Sequence, residues 1–314
     1  MQPTGNTFPN KRKRTSPELE SVERGQERGS TDLQLHLKKQ DCRETNANKS
    51  DAVQRAEMSS KRPSASTKFL PIALVGSHWR ARGSFKNIVV FGDSYSKSNE
   101  GTTWVDVAQR RLRSDALKVS NFAFPGATAE TDFSKQLSRF LGKTDGKVEQ
   151  PRRAFLDPGE ATYVIFLGIN DCGAMGSEDL ESIVETIFDV LLRLYLKCNA
   201  RNFILFDVPP TDRSPQAVDC DLSAVLEDNI KNWNDALRDQ AAEFGSLNKE
   251  ATVFLFSAHQ VLTDVLDDPL EYDFGEDDPV TEGGRIWEDG LHLTSDIHDI
   301  LCKQLLTSIL ANQL

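Results

Sequence analysis

Ser94, Gly126, Asn170, Asp289 and His292 are the residues of this sequence whose types, taken together, could do chemistry. A serine hydroxyl is a weak nucleophile near neutral pH and needs a neighbouring base to take its proton. Histidine suits that task because its pKa lies near working pH. A carboxylate beside the imidazole fixes its tautomer and stabilises the cation that forms. Asp289 and His292 are three residues apart in DGLH, close enough to share one turn and hydrogen-bond locally. The oxyanion produced by attack on a carbonyl needs donors fixed in advance. Glycine lets a backbone N–H approach the substrate closely, and an asparagine side chain adds a further N–H. The set meets the requirements of acyl transfer through a covalent serine intermediate. Ser94 by itself would more often be a turn or helix-cap residue.

The set gains weight from where each member falls. The β-branched and aromatic run Ile88–Phe91 predicts a buried strand and ends in Gly92-Asp93-Ser94. A second strand over Val119–Phe122 runs into the loop containing Gly126. A third over Thr162–Leu167 closes in Gly168-Ile169-Asn170-Asp171, and a fourth over Asn202–Phe206 stops at Asp-Val-Pro-Pro. A fifth over Thr252–Phe256 precedes a long acidic loop and then Asp289-Gly290-Leu291-His292. Between them, helical periodicity predicts helices over Thr102–Arg113, Thr131–Leu141, Glu178–Leu196 and Leu222–Phe244, with a last one over Ser295–Leu310. Strands apolar throughout and separated by helices indicate a parallel sheet covered on both faces, hence one α/β domain built as a three-layer sandwich. Such sheets bind ligands at the carboxyl ends of their strands, so all of the candidate residues gather on one rim.

GDSYS is one residue short of the G-x-S-x-G nucleophile elbow, because Ser96 stands where the second glycine would be. FGDS, the glycine of NFAFPGAT, GIND and DGLH, in that order over about residues 87–314, resemble the four blocks of the SGNH hydrolases, or GDSL lipase/esterase family. Val208-Pro209-Pro210 is similar to a feature of the fungal and plant branches, and the nearest group is carbohydrate esterase family 16. The resemblance implies a three-layer α/β/α sandwich with a parallel, flavodoxin-like sheet. It also implies a serine esterase that forms an acyl-enzyme on Ser94, with His292 as base and Asp289 as its orienter. The oxyanion hole would combine the N–H groups of Ser94 and Gly126 with the Asn170 side chain. No cofactor and no metal are implied. Acetyl or short acyl esters, including those of carbohydrates, fit the family, and so do lysophospholipids. The segment Tyr95-Ser96-Lys97-Ser98-Asn99 departs from the Ser-Asp-x-Gly-Asn run of plant members, which points to a substrate cleft of its own. The competing reading is a non-catalytic binding protein on the same fold whose tail recruits a partner.

Of the 314 residues, those up to Lys68 are poor in aliphatic side chains and rich in Ser, Asn, Gln, Glu, Lys and Arg. Such a segment buries too little apolar surface to offset its ordering entropy, so residues 1–68 are expected to be a disordered tail and 69–314 the folded domain. The tail holds 14 Lys/Arg against 9 Asp/Glu, a net of +5, so with −11 overall the remainder carries −16. An acidic body argues against nucleic acid as the main partner. Cys42, Cys172, Cys198, Cys220 and Cys302 form neither a disulfide framework nor a metal spacing, and are expected to be reduced thiols. Lys11–Arg14 reads as a solvated basic run or a nuclear-localisation patch. No apolar run is long enough to span a membrane. The chain as given therefore reads as cytoplasmic or nuclear. Phe69–Gly76, FLPIALVG, would resemble a short signal peptide only if translation began at Met58, making the protein secreted. Asp93 and Asp171 are expected to hydrogen-bond turn backbone, His298 and Cys172 to pack, and Asp264–Asp278 to form a solvated loop.

Overall fold

The computed structural model describes residues 68–98, 101–112, 117–144, 147–148, 156–174 and 179–311; the tail expected from the sequence lies outside them, up to residue 67. One sheet organises the domain. Its strands are β1 (Ile72–Leu74), β2 (Asn87–Gly92), β3 (Lys118–Asn121), β4 (Ala161–Phe166), β5 (Asn202–Phe206) and β6 (Thr252–Phe256). They lie in the order β1-β6-β5-β4-β2-β3. All neighbours are parallel except β1, which runs antiparallel to β6 with Ile72 opposite Leu255. The five parallel strands, counted alone, have the flavodoxin order 2-1-3-4-5. The chain leaves β2 toward one edge to make β3, then crosses to the other side to make β4. The crevice between the carboxyl ends of β2 and β4 is therefore the topological switch point, where ligands bind in this architecture.

Every residue of β4, β5 and β6 is buried, which forces helices onto both faces of the sheet. One layer packs α1 (Trp104–Arg111), α7 (Ala258–Asp267) and α8 (Ser295–Leu310) against each other; the other packs α2 (Ala129–Phe140), α4 (Leu180–Cys198) and α6 (Ser223–Leu247). Two short helices, α3 (Ile169–Ala174) and α5 (Pro215–Asp219), sit on the rim and pack on α6. Under the switch point the core is aromatic. Phe166, Phe206 and Phe256 stand side by side at the ends of β4, β5 and β6, with ring centroids 4.6 and 5.1 Å apart. Trp104 covers Phe206 at 5.0 Å and Tyr95 meets Phe166 edge-on at 5.9 Å. These rings bury large apolar areas and leave the rim a rigid floor.

Phe69–Gly76, at the start of the expected folded domain, is built into the sheet: β1 covers the outer edge of β6, with Leu70 and Ala73 fully buried. Alternation of polar and apolar residues, the usual sign of an edge strand, is missing from that run. One expectation is corrected: Asp264–Asp278 is not a plain loop. It begins inside α7, continues through a 3-10 turn at Pro269–Tyr272, and uses the Asp278 carboxylate to accept the N–H of Gly275 at 2.7 Å.

Candidate active site

Ser94 sits in a tight turn directly after β2. The Asp93 side chain accepts the Tyr95 N–H at 3.0 Å, and its carbonyl accepts the N–H groups of Ser96 and Lys97, both at 3.1 Å. Asp93, Tyr95 and Ser96 are buried while Ser94 is half-buried, so the turn lifts one hydroxyl to the rim. Ser96 explains the missing glycine. Its hydroxyl accepts the Trp104 indole N–H at 3.1 Å and its carbonyl accepts the Asn121 amide at 2.8 Å. The side chain lies so close to Gly92 that a Cβ there would sit 2.7 Å from Ser96 Oγ. The first glycine is needed because Ser96 fills the space beside it.

His292 and Asp289 come from the loop ahead of α8. Asp289 Oδ1 accepts the N–H groups of Leu291 at 2.8 Å and His292 at 2.7 Å, while Oδ2 faces His292 Nδ1 at 2.7 Å. His292 Nε2 faces Ser94 Oγ at 3.1 Å. With Nδ1–H donated to the carboxylate, Nε2 is left to accept from the serine. Burial pushes the Asp289 carboxyl up, but the hydrogen bonds from His292 and Leu291 outweigh it and hold it below the ordinary carboxylate range. The loop is anchored from both ends by buried Ile286, Trp287 and Leu293. Tyr95 Oη donates to the Leu291 carbonyl at 2.7 Å, tying the serine turn to the histidine loop, and the Gln216 N–H of α5 donates to Gly290 at 2.9 Å.

The third part of the rim comes from Gly126 and α3. Gly126 has φ +76°, the left-handed region that favours glycine. Asn170 lies in the first turn of α3 and donates through Nδ2 to the Ala127 carbonyl at 3.0 Å. The next residue, Asp171, is buried and accepts the N–H of Ala129 at 2.9 and 3.0 Å and of Glu130 at 3.2 Å. A carboxylate on α3 thus caps α2, against the helix dipole. Burial nonetheless raises its pKa. Gln136, within α2 and fully buried, returns the favour to the serine turn: it accepts the Gly92 N–H at 3.0 Å and donates to the Gly92 carbonyl at 2.8 Å. Neither the Ser94 nor the Gly126 N–H has a partner among the described residues. A cleft of about 420 Å³ opens beside Gly126 and Asn170, walled by α3, α5 and the start of α6.

All of the residues singled out from the sequence are thus on one rim, and the Ser94, His292 and Asp289 side chains form one hydrogen-bonded chain. Asp93 bonds turn backbone as expected, whereas Asp171 reaches a different segment. His298 packs edge-on to Tyr95 at 5.9 Å, and burial pulls its pKa down to about 4. Cys172 is buried, which raises its thiol pKa. Among the described residues no His, Cys, Asp and Glu cluster is arranged to hold a metal. The sequence reading missed Gln136 and Tyr95. Gln136 shares the apolar face of α2 with Phe133, Leu137 and Phe140, and a polar residue on such a face signals a buried partner.

The family described as GDSL-like lipase/acylhydrolase matches residues 88–305. The chain belongs to this family. It is a carboxylic ester hydrolase, and its mostly parallel sheet with helices on both faces is that of an SGNH hydrolase. This GDSL hydrolase is 24% identical over 274 residues to an acetylesterase of Thermothelomyces thermophilus, spanning 70% of the chain and 87% of that protein. Among solved structures, Axe2, an acetylxylan esterase from Geobacillus stearothermophilus, aligns over 73% of this chain and 96% of its own with a TM-score of 0.49 at 14% identity. Est24, a carbohydrate acetylesterase from Sinorhizobium meliloti, aligns over 72% and 98% with a TM-score of 0.45 at 15% identity.

Proposed function

We propose that this GDSL hydrolase cleaves acetyl or short acyl esters of carbohydrates through an acyl-enzyme on Ser94. The observation that carries the reading is the unbroken relay from Ser94 Oγ through His292, at 3.1 Å, to Asp289, at 2.7 Å. In it, His292 Nε2 takes the serine proton as Oγ attacks the ester carbonyl, and Asp289 holds the imidazolium that results. The oxyanion is met by the free N–H groups of Ser94 and Gly126 and by Asn170 Nδ2, swung from its bond to Ala127. Collapse expels the alcohol, which leaves with the proton held on Nε2. Water, deprotonated by the same nitrogen, then releases the acid and regenerates Ser94. The acetylesterase relative supports acetyl as one acyl group. The open setting of Asp289 and His292, with side chains 53% and 42% exposed, supports a bulky, hydrated alcohol such as a sugar. Because Phe69–Gly76 supplies β1 to the sheet, this reading keeps that segment in the working protein rather than removing it as a leader.

The test is turnover of p-nitrophenyl acetate and of an acetylated xylose by the full chain and by Ser94→Ala. Loss of roughly a thousandfold or more is expected in the variant, with a rate that falls at acid pH as the base takes up a proton. Unchanged turnover in Ser94→Ala overturns the serine mechanism. Absence of both turnover and an adduct when the folded chain is treated with an organophosphonate overturns it in favour of the binding-protein reading.

A further inference from the structure

A second cleft of about 420 Å³ opens on the same rim between α6 and α7, and none of Ser94, His292, Gly126 and Asn170 lines it. The 3-10 turn Thr211–Arg213 gives Thr211 to the cleft beside Asn170, and Asp212 and Arg213 to this one. The floor lies where β5 and β6 end, because Asp207 directly follows Phe206 and Ser257 directly follows Phe256. Asp207, Asn234 and Ser257 are each more than nine-tenths buried. Asp207 accepts the Ser257 hydroxyl at 2.5 Å and the His259 N–H at 2.8 Å. Asn234 exchanges two hydrogen bonds with the Val208 backbone, at 2.8 and 2.9 Å. The floor is thus fixed before any ligand arrives, and the carboxyl oxygens keep lone pairs to spare. Burial raises the Asp207 pKa to about 7, so near neutrality this group can also donate. Burial lowers that of His259, whose neutral ring offers one donor and one acceptor.

The lining decides the chemistry of the ligand. Pro210 is its one apolar residue, so the cleft suits neither an acyl chain nor an aromatic ring. Among the described residues its carboxylates are not grouped to hold a metal. An anion is disfavoured as well. Lys231 and Arg238 are both engaged by Asp235 at 2.9 Å, and Arg213 is engaged by Asp267 at 2.7 Å. Asp212 and Glu227, by contrast, are in no ion pair among the described residues; burial raises the Asp212 pKa and the Glu227 charge adds to the rise. What fits is a neutral ligand whose groups donate and accept at once, as hydroxyls do. We infer that this cleft binds a neutral sugar unit, with Asp207 and His259 at its floor and Glu227, Gln260 and Thr263 on its walls. A glycan is then held at a site other than the one that cleaves its ester. The choice of a sugar among neutral polyols rests on the carbohydrate-ester reading above, whereas the polar cleft does not.

The experiment is calorimetric titration of unesterified xylotetraose into the full chain, with Ser94 first blocked by an organophosphonate so that the catalytic site is occupied. Saturable binding is expected. Glu227→Ala, at an exposed position on α6, and Thr263→Phe, which fills the cleft from α7, should each weaken it by about tenfold or more, the worth of a hydrogen bond to a charged group. Loss from both walls places the sugar between them. Turnover of p-nitrophenyl acetate by the unblocked variants should match that of the parent, since neither residue lies at the catalytic site. If Thr263→Phe does not fold, as circular dichroism would show, Gln260→Ala takes its place on the same wall. Absence of binding, or binding retained in either variant, overturns the sugar site while leaving the serine mechanism standing. Displacement of the sugar by an equal concentration of inorganic phosphate would make the cleft an anion site and overturn the inference as well. If Ser94 takes no adduct and no ester is cleaved, the acyl-enzyme reading fails, and titration of the unblocked chain and the same two variants still decides the cleft.

Discussion

On one side of Ser94, Asp289 and His292 stand half in solvent and are held by hydrogen bonds within a single short loop. On the other side, groups with almost no exposure stand behind the segments that carry Gly126 and Asn170: Asp171, next to Asn170, caps α2, which begins three residues after Gly126, and Gln136 of α2 grips both backbone groups of Gly92. The reacting side is local and wet, and the supports behind the oxyanion side are long-range and dry. A hydrogen bond in solvent exchanges readily for one to water and contributes little to stability, whereas a buried group stripped of its partner loses its full solvation. The histidine loop can therefore carry chemistry that the fold does not depend on. The clamps behind Asn170 and Gly92 carry the fold and the chemistry at once.

This difference can be broken by experiment. The largest effect is expected from Asp289→Asn, which leaves the geometry but removes the charge that holds the imidazole: kcat should fall by about 10³–10⁴-fold. Its melting temperature should barely move, because the side chain is 53% exposed; a loss of many degrees would show that the loop is not independent of the fold. Gln136→Ala should do the reverse in emphasis. It strands the Gly92 N–H inside the protein and leaves its carbonyl only the longer bond from the Phe124 N–H at 3.3 Å, so urea unfolding should report a loss of about 1–3 kcal/mol, with kcat reduced because the serine turn loosens. A variant as stable as the parent would sink the idea of a buried clamp.

Asp93 gives a pH-dependent form of the same contrast. Burial raises its pKa from the ordinary value of 3.8 to about 7, and one of its oxygens, Oδ2, has no partner among the described residues. A carboxyl whose folded pKa is raised binds its proton more tightly folded than unfolded. Its contribution is therefore intact at about pH 4, is lost as pH rises toward 7, and stays lost above it. Asp93→Asn keeps the acceptor for the Tyr95 N–H and cannot ionise, so its stability relative to the parent should grow between pH 4 and 7 by an amount of the order of a few kcal/mol. His298, drawn down to about 4, works the other way: its contribution is present above about 6.5 and fades as pH falls toward 4. A parent-to-variant difference flat across that range would remove Asp93 as the cause. The smallest effect belongs to Tyr95→Phe, which cuts the bond to Leu291 linking the two sides. Loss of one hydrogen bond is worth about 1 kcal/mol, and the expected signature is a kcat lowered by up to about tenfold with KM unchanged. Equal changes in kcat and KM would mean that the tyrosine shapes the substrate site instead.

Much of this was legible in the residues. The runs Thr162–Leu167, Asn202–Phe206 and Thr252–Phe256 carry no charge and are apolar or aromatic after their first residue, and each became a strand buried on both faces. The helices predicted over Glu178–Leu196 and Leu222–Phe244 are found at Leu180–Cys198 and Ser223–Leu247, because their apolar stripes extend nearly to their ends. What stayed hidden was short or unpatterned. β1 has three residues and no alternation, and α5 has a single turn. Asp171 shows why a side chain's neighbours in sequence mislead. Standing next to Asn170 in a turn, it suggests a local bond, yet its partners are Ala129 and Glu130, about forty residues away.

By itself, then, the sequence determined which segments are buried strands, which residues follow them, and that Asp289 and His292 share a turn. Burial pattern and spacing of a few residues are properties of the local chain, and they survive whatever the rest does. Only the tertiary structure decided that Ser94 meets a histidine 198 residues away, that Ser96 replaces a glycine by filling the space beside Gly92, and that a cleft of about 420 Å³ opens beside Asn170. Those outcomes depend on strand order and on helices packed from distant segments, and packing is settled by shape complementarity across the core, which no local stretch of sequence encodes.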